Sequence, residues 1–385
     1  MNPNEPLRIF ILDAHSRGGG QVSYVTRLAV RLTAMGHHVT IGCRPGSVLV
    51  QAAEEAGADC LDVFRFVRGL RLRGWLHDLR QLKRFLQSFQ PDIIHVNGSQ
   101  DHWIAALCNR WMGMPHTLLR SRHNTYRVKN SLPNRLLNRR WTQYQIVVCE
   151  AVRQTLAAQP IFNADALCTI HNGVDAERFQ PNPEARERIR GTLGNTEAHT
   201  VCGIVGRLVK AKGHTYLLQA AAQLHDRYPN LRLLFVGEGV LRDALEQEAA
   251  TLGVGEITHF AGFQNDMPDW VQAFDIGVQP SIDCDTSSFS LKELMAAGKP
   301  VIASDYGGLR EILDDGVEGY IVPAGTVTPL AEALEKLLQA PERCPEMGAS
   351  GRARVLRAFT LEHFAEATVQ AYHDAMAVHR ESAAP

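Results

Sequence analysis

Hydrophobic residues recur along this chain in short runs that alternate with longer segments of helical spacing. The first run is LRIFIL at residues 7–12, and after a glycine-rich turn the segment QVSYVTRLAVRLTAMG repeats apolar residues with a helical period up to Gly36. HVTIGC then has the pattern of another buried strand. Strand, turn, helix and strand in this order predict a βαβ unit, the element of a parallel sheet with helices on its faces. The runs IIHVNG, HTLLRSR and QIVVCE extend that sheet.

The same pattern starts again in the second half of the chain. TVCGIV at residues 200–205 predicts a strand, residues 206–214 a turn, residues 215–227 a helix, and LRLLFV at residues 231–236 the next strand. ITHFAGF, IGVQPS and KPVIASD continue the series. The sequence therefore predicts two consecutive halves of the same architecture.

These halves define the predicted domains. They join near FQPNP at residues 179–183, where Pro and Asn interrupt the pattern. We predict an α/β protein of two Rossmann-like, doubly wound domains facing across a cleft, formed by residues 1–180 and residues 181–360. A helix in residues 361–385 is expected to pack back toward the N-terminal domain. Ligands of such sheets bind outside the carboxyl ends of the strands, so the cleft is the expected active site.

Composition narrows the class of protein. No apolar run reaches the roughly 18 residues needed to span a bilayer, and the start MNPNEPLRIFILDAH lacks a signal-peptide pattern, so we expect a cytoplasmic protein. The eight Cys are scattered singly without metal-ligand spacing, which indicates reduced thiols and predicts no metal site. The net charge of −1 argues against a nucleic-acid binder.

Charge is nevertheless divided unevenly along the chain. Residues 1–180 hold 22 Lys and Arg against 13 Asp and Glu, a charge of +9, whereas the remainder holds 18 against 28, or −10. The densest basic stretches are residues 65–84 and 127–140. This asymmetry predicts an acidic partner for the N-terminal half, either a membrane surface or an anionic acceptor.

A glycine turn follows the first strand and precedes the first helix. Gly18, Gly19 and Gly20 would let the backbone approach phosphate oxygens at a helix N-terminus. An ordinary flexible turn explains this segment equally well. The spacing is not G-x-G-x-x-G and does not favour a dinucleotide-dependent oxidoreductase.

A basic turn follows the strand at residues 200–205. Its sequence is GRLVKAKG, and Arg207 and Lys212 beyond Gly206 could clamp a diphosphate and stabilise a leaving nucleotide. A solvated turn rich in lysine is the alternative, and it is the commoner explanation for an isolated basic turn.

The most informative segment runs from Asp285 to Glu293. Its Ser/Thr-rich loop predicts Asp285 in the loop facing the cleft and Glu293 in the first turn of a helix. Backbone N–H groups of Phe289, Ser290 and Leu291 would point at phosphate, and the two carboxylates would accept hydrogen bonds from sugar and ribose hydroxyls. Alternatively Ser290 and Glu293 form a capping box.

His123 lies directly after the strand HTLLR, where a side chain enters the cleft. A single His is more often a core or surface residue. The same alternative applies to His95 and His102, for which the sequence supports a site role less than it does for His123.

Taken together, these segments resemble the retaining glycosyltransferase family 4, which has the two-domain GT-B fold. The matching stretches are, in chain order, GGGQVSYVTRLAVRLTAMGHHV, PDIIHV, HNGVDAERFQP, GIVGRLVKAKGHTYLLQA, LLFVGEGVLRDALE and SSFSLKELMAAGKPVIASDYGGLREIL, followed by DGVEGYIVP. They extend over residues 8–323, and their common order is more specific than any single motif.

The resemblance implies a role for each position. Arg207 and Lys212 would bind the donor diphosphate, Glu293 the donor ribose, and Asp285 the hydroxyls of the transferred sugar. His123 corresponds to the cleft histidine near the transferred sugar and the leaving phosphate. The glycine turn would close over the donor phosphates and border the acceptor. Gly237 and Glu238 correspond to the loop beside the nucleotide.

Three departures from the family pattern bear on specificity. The carboxylate pair is usually two Glu, whereas the first here is Asp285, one methylene shorter, which bears on the choice of donor sugar. The glycine turn ends in Gln21 where an acidic residue is common, and RSRHN around His123 is more basic than usual. The last two differences suggest an anionic acceptor.

The resemblance implies transfer with retention from a nucleotide-diphosphate-sugar, without a metal or other cofactor. The favoured acceptor is a lipopolysaccharide core or another bacterial cell-surface glycolipid or oligosaccharide. A sugar-nucleotide epimerase of the same fold, or an inactive nucleotide-binding member, remains an alternative. Arginines mixed with Leu, Phe and Trp75 in residues 65–84 suggest docking on the inner membrane, although an ordinary helix with a basic face explains them as well.

Overall fold

The computed structural model describes residues 5–16, 18–67, 69 and 71–383. The chain divides into two compact units, of which the first comprises Met1–Asn172 with Leu361–Pro385 and the second Gly173–Thr360. Residues 173–180, which we predicted in the first domain, thus belong to the second unit. The backbone explains this boundary, because Val174 N–H donates to Phe359 O at 2.8 Å and Val174 pairs with Thr360.

The first unit contains a parallel sheet of seven strands. In chain order these are β1 (Arg8–Leu12), β2 (His38–Gly42), β3 (Asp59–Leu61), β4 (Ile93–Val96), β5 (Thr117–Arg122), β6 (Tyr144–Val147) and β7 (Leu167–Thr169). Their order across the sheet is β3-β2-β1-β4-β5-β6-β7. The winding direction therefore reverses between β1 and β4, and we call this position the first switch point.

Six helices connect these strands. They are α1 (Gly20–Ala34), α2 (Val48–Glu55), α3 (Leu72–Phe89), α4 (Ser99–Trp111), α5 (Leu132–Arg139) and α6 (Glu150–Ala157).

The second unit contains a parallel sheet of six strands. They are β8 (Thr200–Val205), β9 (Leu231–Val236), β10 (Thr258–Gly262), β11 (Ile276–Gln279), β12 (Val301–Ser304) and β13 (Gly319–Val322). The order is β10-β9-β8-β11-β12-β13, so a second switch point lies between β8 and β11. The two sheets show the predicted α/β architecture of doubly wound parallel strands.

Seven helices accompany this second sheet. They are α7 (Pro183–Thr192), α8 (His214–Leu224), α9 (Arg242–Thr251), α10 (Met267–Trp270), α11 (Phe289–Ala296), α12 (Thr328–Gln339) and α13 (Arg343–Ala358). The last helix of the chain, α14 (Leu361–Ala383), belongs to the first unit and packs on α1, β5 and β6.

Both faces of the second sheet are buried. Along β8, Cys202 and Ile204 point into one hydrophobic core, whereas Val201 and Val205 point into another on the opposite face. A strand covered on both faces is a continuous apolar run, which is why TVCGIV could be recognised in the sequence.

Three strands were not predicted from the sequence, namely β3, β7 and β13. Each has three or four residues and lies at the edge of its sheet. An edge strand has one neighbour and is partly solvated, so it leaves no long apolar run in the sequence.

Candidate functional site

The loops after β8 and β11 bring two predicted site residues together at the second switch point. Lys212 ends a 3-10 turn, Lys210–Lys212, that follows β8. Its Nζ donates to Oδ2 of Asp285 at 2.7 Å, although 73 positions separate the two residues. Opposite charges are thus paired where ligands of doubly wound sheets bind.

The Asp285 carboxylate is fixed by neutral groups as well. Gln279 Nε2 and Ser281 Oγ each donate to its Oδ2 at 2.7 Å. Asp285 is 4% exposed, whereas the Lys212 side chain is 18% exposed. The sequence analysis missed Gln279, the last residue of β11, and Ser281, although polar residues at the end of a buried run mark the carboxyl end of a strand.

Helix α11 begins differently from either sequence interpretation. Its N-cap is Ser288, whose Oγ accepts from Leu291 N at 3.3 Å. Ser290 lies inside the helix and donates its hydroxyl to Gln279 Oε1 at 3.2 Å. The capping box of Ser290 with Glu293 is therefore wrong, and Glu293 lies in the second helical turn, where it is buried. The Leu291 N–H that we predicted to point at phosphate donates to the cap.

The glycines of this unit allow the loops after β8 and β9 to approach each other. Gly237 N–H donates to Gly262 O at 2.8 Å, and Gly237 has a φ of 140°. A Cβ at Gly237 would lie 2.1 Å from Gly206 O, far inside van der Waals contact. Glycine is required there because the two backbones touch.

Arg207 and Glu238 have exposed side chains. Glu238 pairs with Arg242 at 3.0 Å, one helical turn further along the chain. Within the part of the chain that the structure describes, the Arg207 guanidinium forms no ion pair, so it faces water at the end of β8.

In the first unit, His123 follows β5 and contacts the residue that follows β4. Its Nε2 lies 3.0 Å from Asn97 Oδ1. Asn97 Nδ2 donates to Leu12 O at 3.2 Å, so the amide oxygen faces the ring and His123 Nε2 carries the proton. Burial, followed by the charges of Arg120 and His15, lowers the pKa of His123 to about 3. The imidazole is neutral at physiological pH and available for hydrogen bonding.

The glycine turn of the first unit is open. Gly20 begins α1, Gly19 is its N-cap with a φ of 146°, and a Cβ at Gly19 would meet no described residue within 4 Å. A Cβ at Gly18 would make only an ordinary contact, 3.7 Å from Val48 Cγ1. Arg17, which begins this motif, lies outside the described residues.

His95 is a core residue. Its Nε2 lies 2.7 Å from Ser121 Oγ, and its Nδ1 lies 2.8 Å from the Tyr372 hydroxyl on α14. The Tyr24 hydroxyl lies 2.7 Å from the same Ser121 Oγ. Burial lowers the pKa of His95 to about 3, so this series of hydrogen bonds links neutral groups. The alternative interpretation of His95 as a buried structural histidine agrees with its position.

The basic turn around His123 is largely internal. Arg122 Nε donates to Gln145 Oε1 and its NH2 donates to Asn138 Oδ1, both at 2.6 Å. Arg120 NH1 lies 2.7 Å from His102 Nδ1. Arg122 is therefore buried against neutral amides and does not present its charge to solvent, contrary to the sequence interpretation of this turn.

Helix α3 carries a basic groove on its surface, formed with the preceding loop. It has a volume of about 420 Å³. The side chains that line it are Arg65, Arg73, Leu76, His77, Arg80, Gln81 and Arg84. Leu76 in this lining is 50% exposed, and the neighbouring Leu72 is 73% exposed. We call this surface the arginine groove.

The described residues contain no group of three or more His, Cys, Asp or Glu arranged to hold a metal ion. None of the helices in that part of the chain has the length and apolar character required to cross a membrane.

Comparison with known proteins identifies the family. The family model Glycosyltransferase Family 4 matches residues 18–178, and the model Glycosyl transferases group 1 matches residues 185–354. A Bacillus subtilis protein named Putative glycosyltransferase EpsD is 31% identical over 302 residues, which cover 74% of this chain and 78% of that protein. The D-inositol 3-phosphate glycosyltransferase of Streptomyces griseus is 28% identical over 98% of this chain and 91% of its own length.

A solved structure agrees with these sequence matches. The crystal structure of Anabaena HepE in complex with UDP superposes with a TM-score of 0.82 at 20% identity, covering 94% of this chain and 98% of HepE. Two doubly wound units, two adjoining family models and co-linear motifs lead to one assignment: the chain belongs to glycosyltransferase family 4 and is a glycosyltransferase of the GT-B fold.

Proposed function

We propose that this protein transfers a sugar, with retention of anomeric configuration, from a nucleotide-diphosphate-sugar bound by the second unit. The contact of Lys212 with Asp285 at the second switch point carries the proposal. In this contact a cation lies beside a carboxylate at the carboxyl ends of β8 and β11, and the two would bind phosphate and sugar hydroxyls, respectively. The binding of UDP by HepE supports a nucleoside diphosphate as the leaving group.

The charges of the second unit suit a departing diphosphate. Lys212 and the exposed Arg207 supply positive charge, and the N-terminus of α11 adds the partial charge of its N–H groups. These groups do the work that Mg²⁺ does in other transferases, so we propose that no metal or other cofactor takes part. The N–H groups of Phe289 and Ser290 lie at the start of this helix and would point at phosphate. The Glu293 carboxylate in its second turn would accept hydrogen bonds from ribose hydroxyls.

The donor would replace contacts that exist without it. Lys212 Nζ donates a hydrogen bond to Asp285. With the nucleotide sugar bound, Lys212 would donate to a β-phosphate oxygen instead. A hydroxyl of the transferred sugar would then donate to the Asp285 carboxylate. Gln279 and Ser281 keep Asp285 in place during the exchange. As the glycosidic bond to phosphate breaks, the acceptor oxygen bonds to the anomeric carbon, and its proton passes to the leaving β-phosphate oxygen. No protein nucleophile is needed.

We propose that the first unit binds the acceptor, with His123 and the turn of Gly18, Gly19 and Gly20 nearest to the reacting sugar. The charge of +9 in residues 1–180 supports an anionic acceptor. The name of the Streptomyces griseus relative, which includes inositol 3-phosphate, is consistent with an acceptor that carries phosphate. Our candidate acceptor is a lipopolysaccharide core or another bacterial cell-surface glycolipid.

A glycolipid acceptor requires access to a membrane, and we propose that α3 provides it at the cytoplasmic face of the inner membrane. The arginine groove would contact anionic headgroups while Leu72 and Leu76 enter the interface. Flotation with liposomes tests this, comparing Arg73→Ala/Arg80→Ala with Arg135→Ala/Arg139→Ala on α5, which removes the same charge. We expect only the α3 variant to lose binding to anionic liposomes, and equal binding of the wild type to neutral and anionic liposomes would refute docking through the arginine groove.

The donor is tested by thermal-shift measurements with UDP, GDP, ADP and CMP, each with and without EDTA. A ligand that binds only the folded protein raises the unfolding midpoint. We expect one nucleoside diphosphate to stabilise the protein regardless of EDTA, and we expect Arg207→Ala and Glu293→Ala to abolish the shift. A stabilisation that disappears with EDTA would contradict metal independence, and no stabilisation by any of the four would contradict the proposed donor class.

A further inference from the structure

Two cysteine thiols of the first unit lie in direct contact, and the function proposed above uses neither of them. Cys43 directly follows β2, and Cys60 is the middle residue of β3. Both are free cysteines. Their Sγ atoms lie 3.0 Å apart, although 17 positions separate the two residues along the chain. Each sulfur is thus within reach of the other, as thiol–disulfide chemistry requires.

The pairing of β2 with β3 creates this contact. Ile41 pairs with Cys60 in parallel register, and the Cys43 N–H donates to Leu61 O at 3.0 Å, one residue beyond the end of β2. Because side chains alternate between the two faces of a strand, Cys43 lies on the same face as Ile41 and its neighbour Cys60. The Phe64 N–H then donates to Cys43 O at 3.2 Å. Backbone hydrogen bonds therefore hold the two sulfurs together.

The two thiols differ in their access to solvent. Cys43 is fully buried, whereas Cys60 is half-buried on an edge strand. A hydrogen bond from the Cys43 thiol lowers the pKa of Cys60, against the opposite effects of burial, Asp62 and Glu54. The same hydrogen bond, followed by burial, raises the pKa of Cys43. Cys60 is therefore the thiol that ionises and meets a reagent from solution, and Cys43 lies behind it.

We propose that Cys43 and Cys60 form a reversible disulfide on exposure to hydrogen peroxide, and that this bond locks the β3 edge of the first sheet. The Cys60 thiolate attacks one peroxide oxygen, the O–O bond breaks, and the departing hydroxide takes up the proton that the thiol released. Cys60 is then a sulfenic acid, and the first water has formed. The Cys43 sulfur attacks the Cys60 sulfur, the S–O bond breaks, and hydroxide leaves with the Cys43 proton as a second water. Two thiols are oxidised to one disulfide while one peroxide is reduced.

The disulfide closes a ring of residues 43–60, which contains the whole of α2. It ties β2 covalently to a strand of three residues that has one neighbour in the sheet. The chain continues from β3 to Arg65 of the arginine groove, whose backbone N–H donates to Asp78 Oδ1 on α3 at 2.8 Å. Closing this ring restricts the unfolded chain and so stabilises the folded first unit.

Mass spectrometry of the full chain tests whether the bond forms. The protein is treated with hydrogen peroxide, the remaining thiols are alkylated in denaturant, and the peptides are analysed without reduction. We expect a pair of peptides linked through Cys43 and Cys60, and we expect dithiothreitol to separate them. Peroxide products at Cys60 without this link, or a link from Cys60 to a different cysteine, would overturn the proposal.

Single variants test the order of the two steps. In Cys43→Ser the attacking thiol remains without its partner, so dimedone should trap a sulfenic acid at Cys60. In Cys60→Ser the buried Cys43 should stay a thiol. The matched control is Cys168→Ser, which removes a partly buried cysteine from β7 at the opposite edge of the sheet and should leave the Cys43–Cys60 link unchanged. Oxidation of Cys43 in Cys60→Ser at the rate of the wild type would contradict the role of Cys60.

The lock has a separate readout in stability. The oxidised wild type should unfold at a midpoint about 5–10 °C above that of the reduced protein, because the ring restricts the unfolded chain. Hydrogen exchange in residues 59–66 should also become slower, and Cys60→Ser should show neither change. Equal midpoints and equal exchange in the oxidised and reduced wild type would refute the lock. These measurements need neither donor nor acceptor, so they remain valid if the proposed glycosyl transfer is wrong.

Discussion

The two units have polar clusters at equivalent switch points, but the clusters differ in whether a buried carboxylate is paired with a cation. In the second unit, the Asp285 carboxylate is paired with Lys212. In the first, the buried carboxylates of Asp13, directly after β1, and Asp101, in the first turn of α4, form no ion pair in the described part of the chain, and burial keeps His123 neutral. The second cluster is therefore built around an ion pair, whereas the imidazole of the first is neutral.

The glycines show a parallel difference. A side chain at Gly237 would collide with the backbone at Gly206, so the loops of the second unit are already packed against each other. A Cβ at Gly19 would lie more than 4 Å from the other residues that the structure describes. The loops after β8 and β9 are thus preorganised, whereas the described residues leave space around Gly19 in the glycine turn of the first unit. The predictions below test this contrast, beginning with the largest effect.

Removing the cation of the second cluster should have the largest effect. We expect Lys212→Ala to lower kcat by about 10²–10³-fold, because the leaving diphosphate loses a preorganised positive charge. The rate at which nucleoside diphosphate is released measures this effect. The substrate is a sugar donor that contains the nucleotide identified by thermal shift. The control is Lys210→Ala, which removes an exposed lysine from the same turn. Equal rates for the two variants would show that Lys212 is not a donor ligand.

Adding a methyl group should distinguish the packed glycines from the open ones. Gly237→Ala should lower the free energy of unfolding by about 2–4 kcal/mol, because the new Cβ overlaps a carbonyl oxygen. Gly18→Ala should change it by less than about 1 kcal/mol, in the stabilising direction. Urea unfolding measures both variants. Equal destabilisation would contradict the difference in preorganisation between the two units.

The first unit should lose stability in acid through its buried histidines. Burial holds the folded-state pKa of His95 at about 3, below its ordinary value of 6.5, so the stability that the neutral ring contributes is present above pH 6.5 and is lost as pH falls toward 3. From pH 6.5 to pH 5 this amounts to about 2 kcal/mol. His95→Gln should remove that part of the pH dependence, whereas His38→Gln, at an exposed ring, should retain it. An unchanged acid slope in His95→Gln would mean that His95 does not titrate on unfolding.

The smallest expected effect on stability is at Glu238. Its pair with Arg242 is exposed, so Glu238→Ala should change the free energy of unfolding by no more than about 0.5 kcal/mol. A loss of nucleotide affinity in this variant would therefore report a contact with the ligand. Calorimetric titration with the stabilising nucleoside diphosphate measures it, and unchanged affinity would exclude Glu238 from the donor-binding loop.

The sequence determined the architecture because strands buried on both faces leave continuous apolar runs. LRIFIL and TVCGIV each predicted the first strand of a sheet, and the glycines after them marked the loops that carry the polar clusters. The order of motifs also predicted the family. The missed strands β3, β7 and β13 are edge strands of three or four residues, too short to show a clear apolar pattern.

The capping of α11 shows the limit of local motifs. Both Ser288 and Ser290 could cap a helix by sequence, and the structure uses Ser288 because the Ser290 hydroxyl is directed to Gln279 on β11. A contact with a distant strand thus decided between two equivalent local choices. The same reason explains Arg122, whose partners Gln145 and Asn138 come from β6 and α5.

The sequence by itself determined that this protein consists of two doubly wound halves, and it identified the residues at the strand ends. Only the tertiary structure decided that Lys212 contacts Asp285, that Cys43 contacts Cys60, and that α14 belongs to the first unit. The physical reason is the order of strands in each sheet. Periodicity records which face of a strand is buried, but which strands become neighbours depends on the packing of the whole unit.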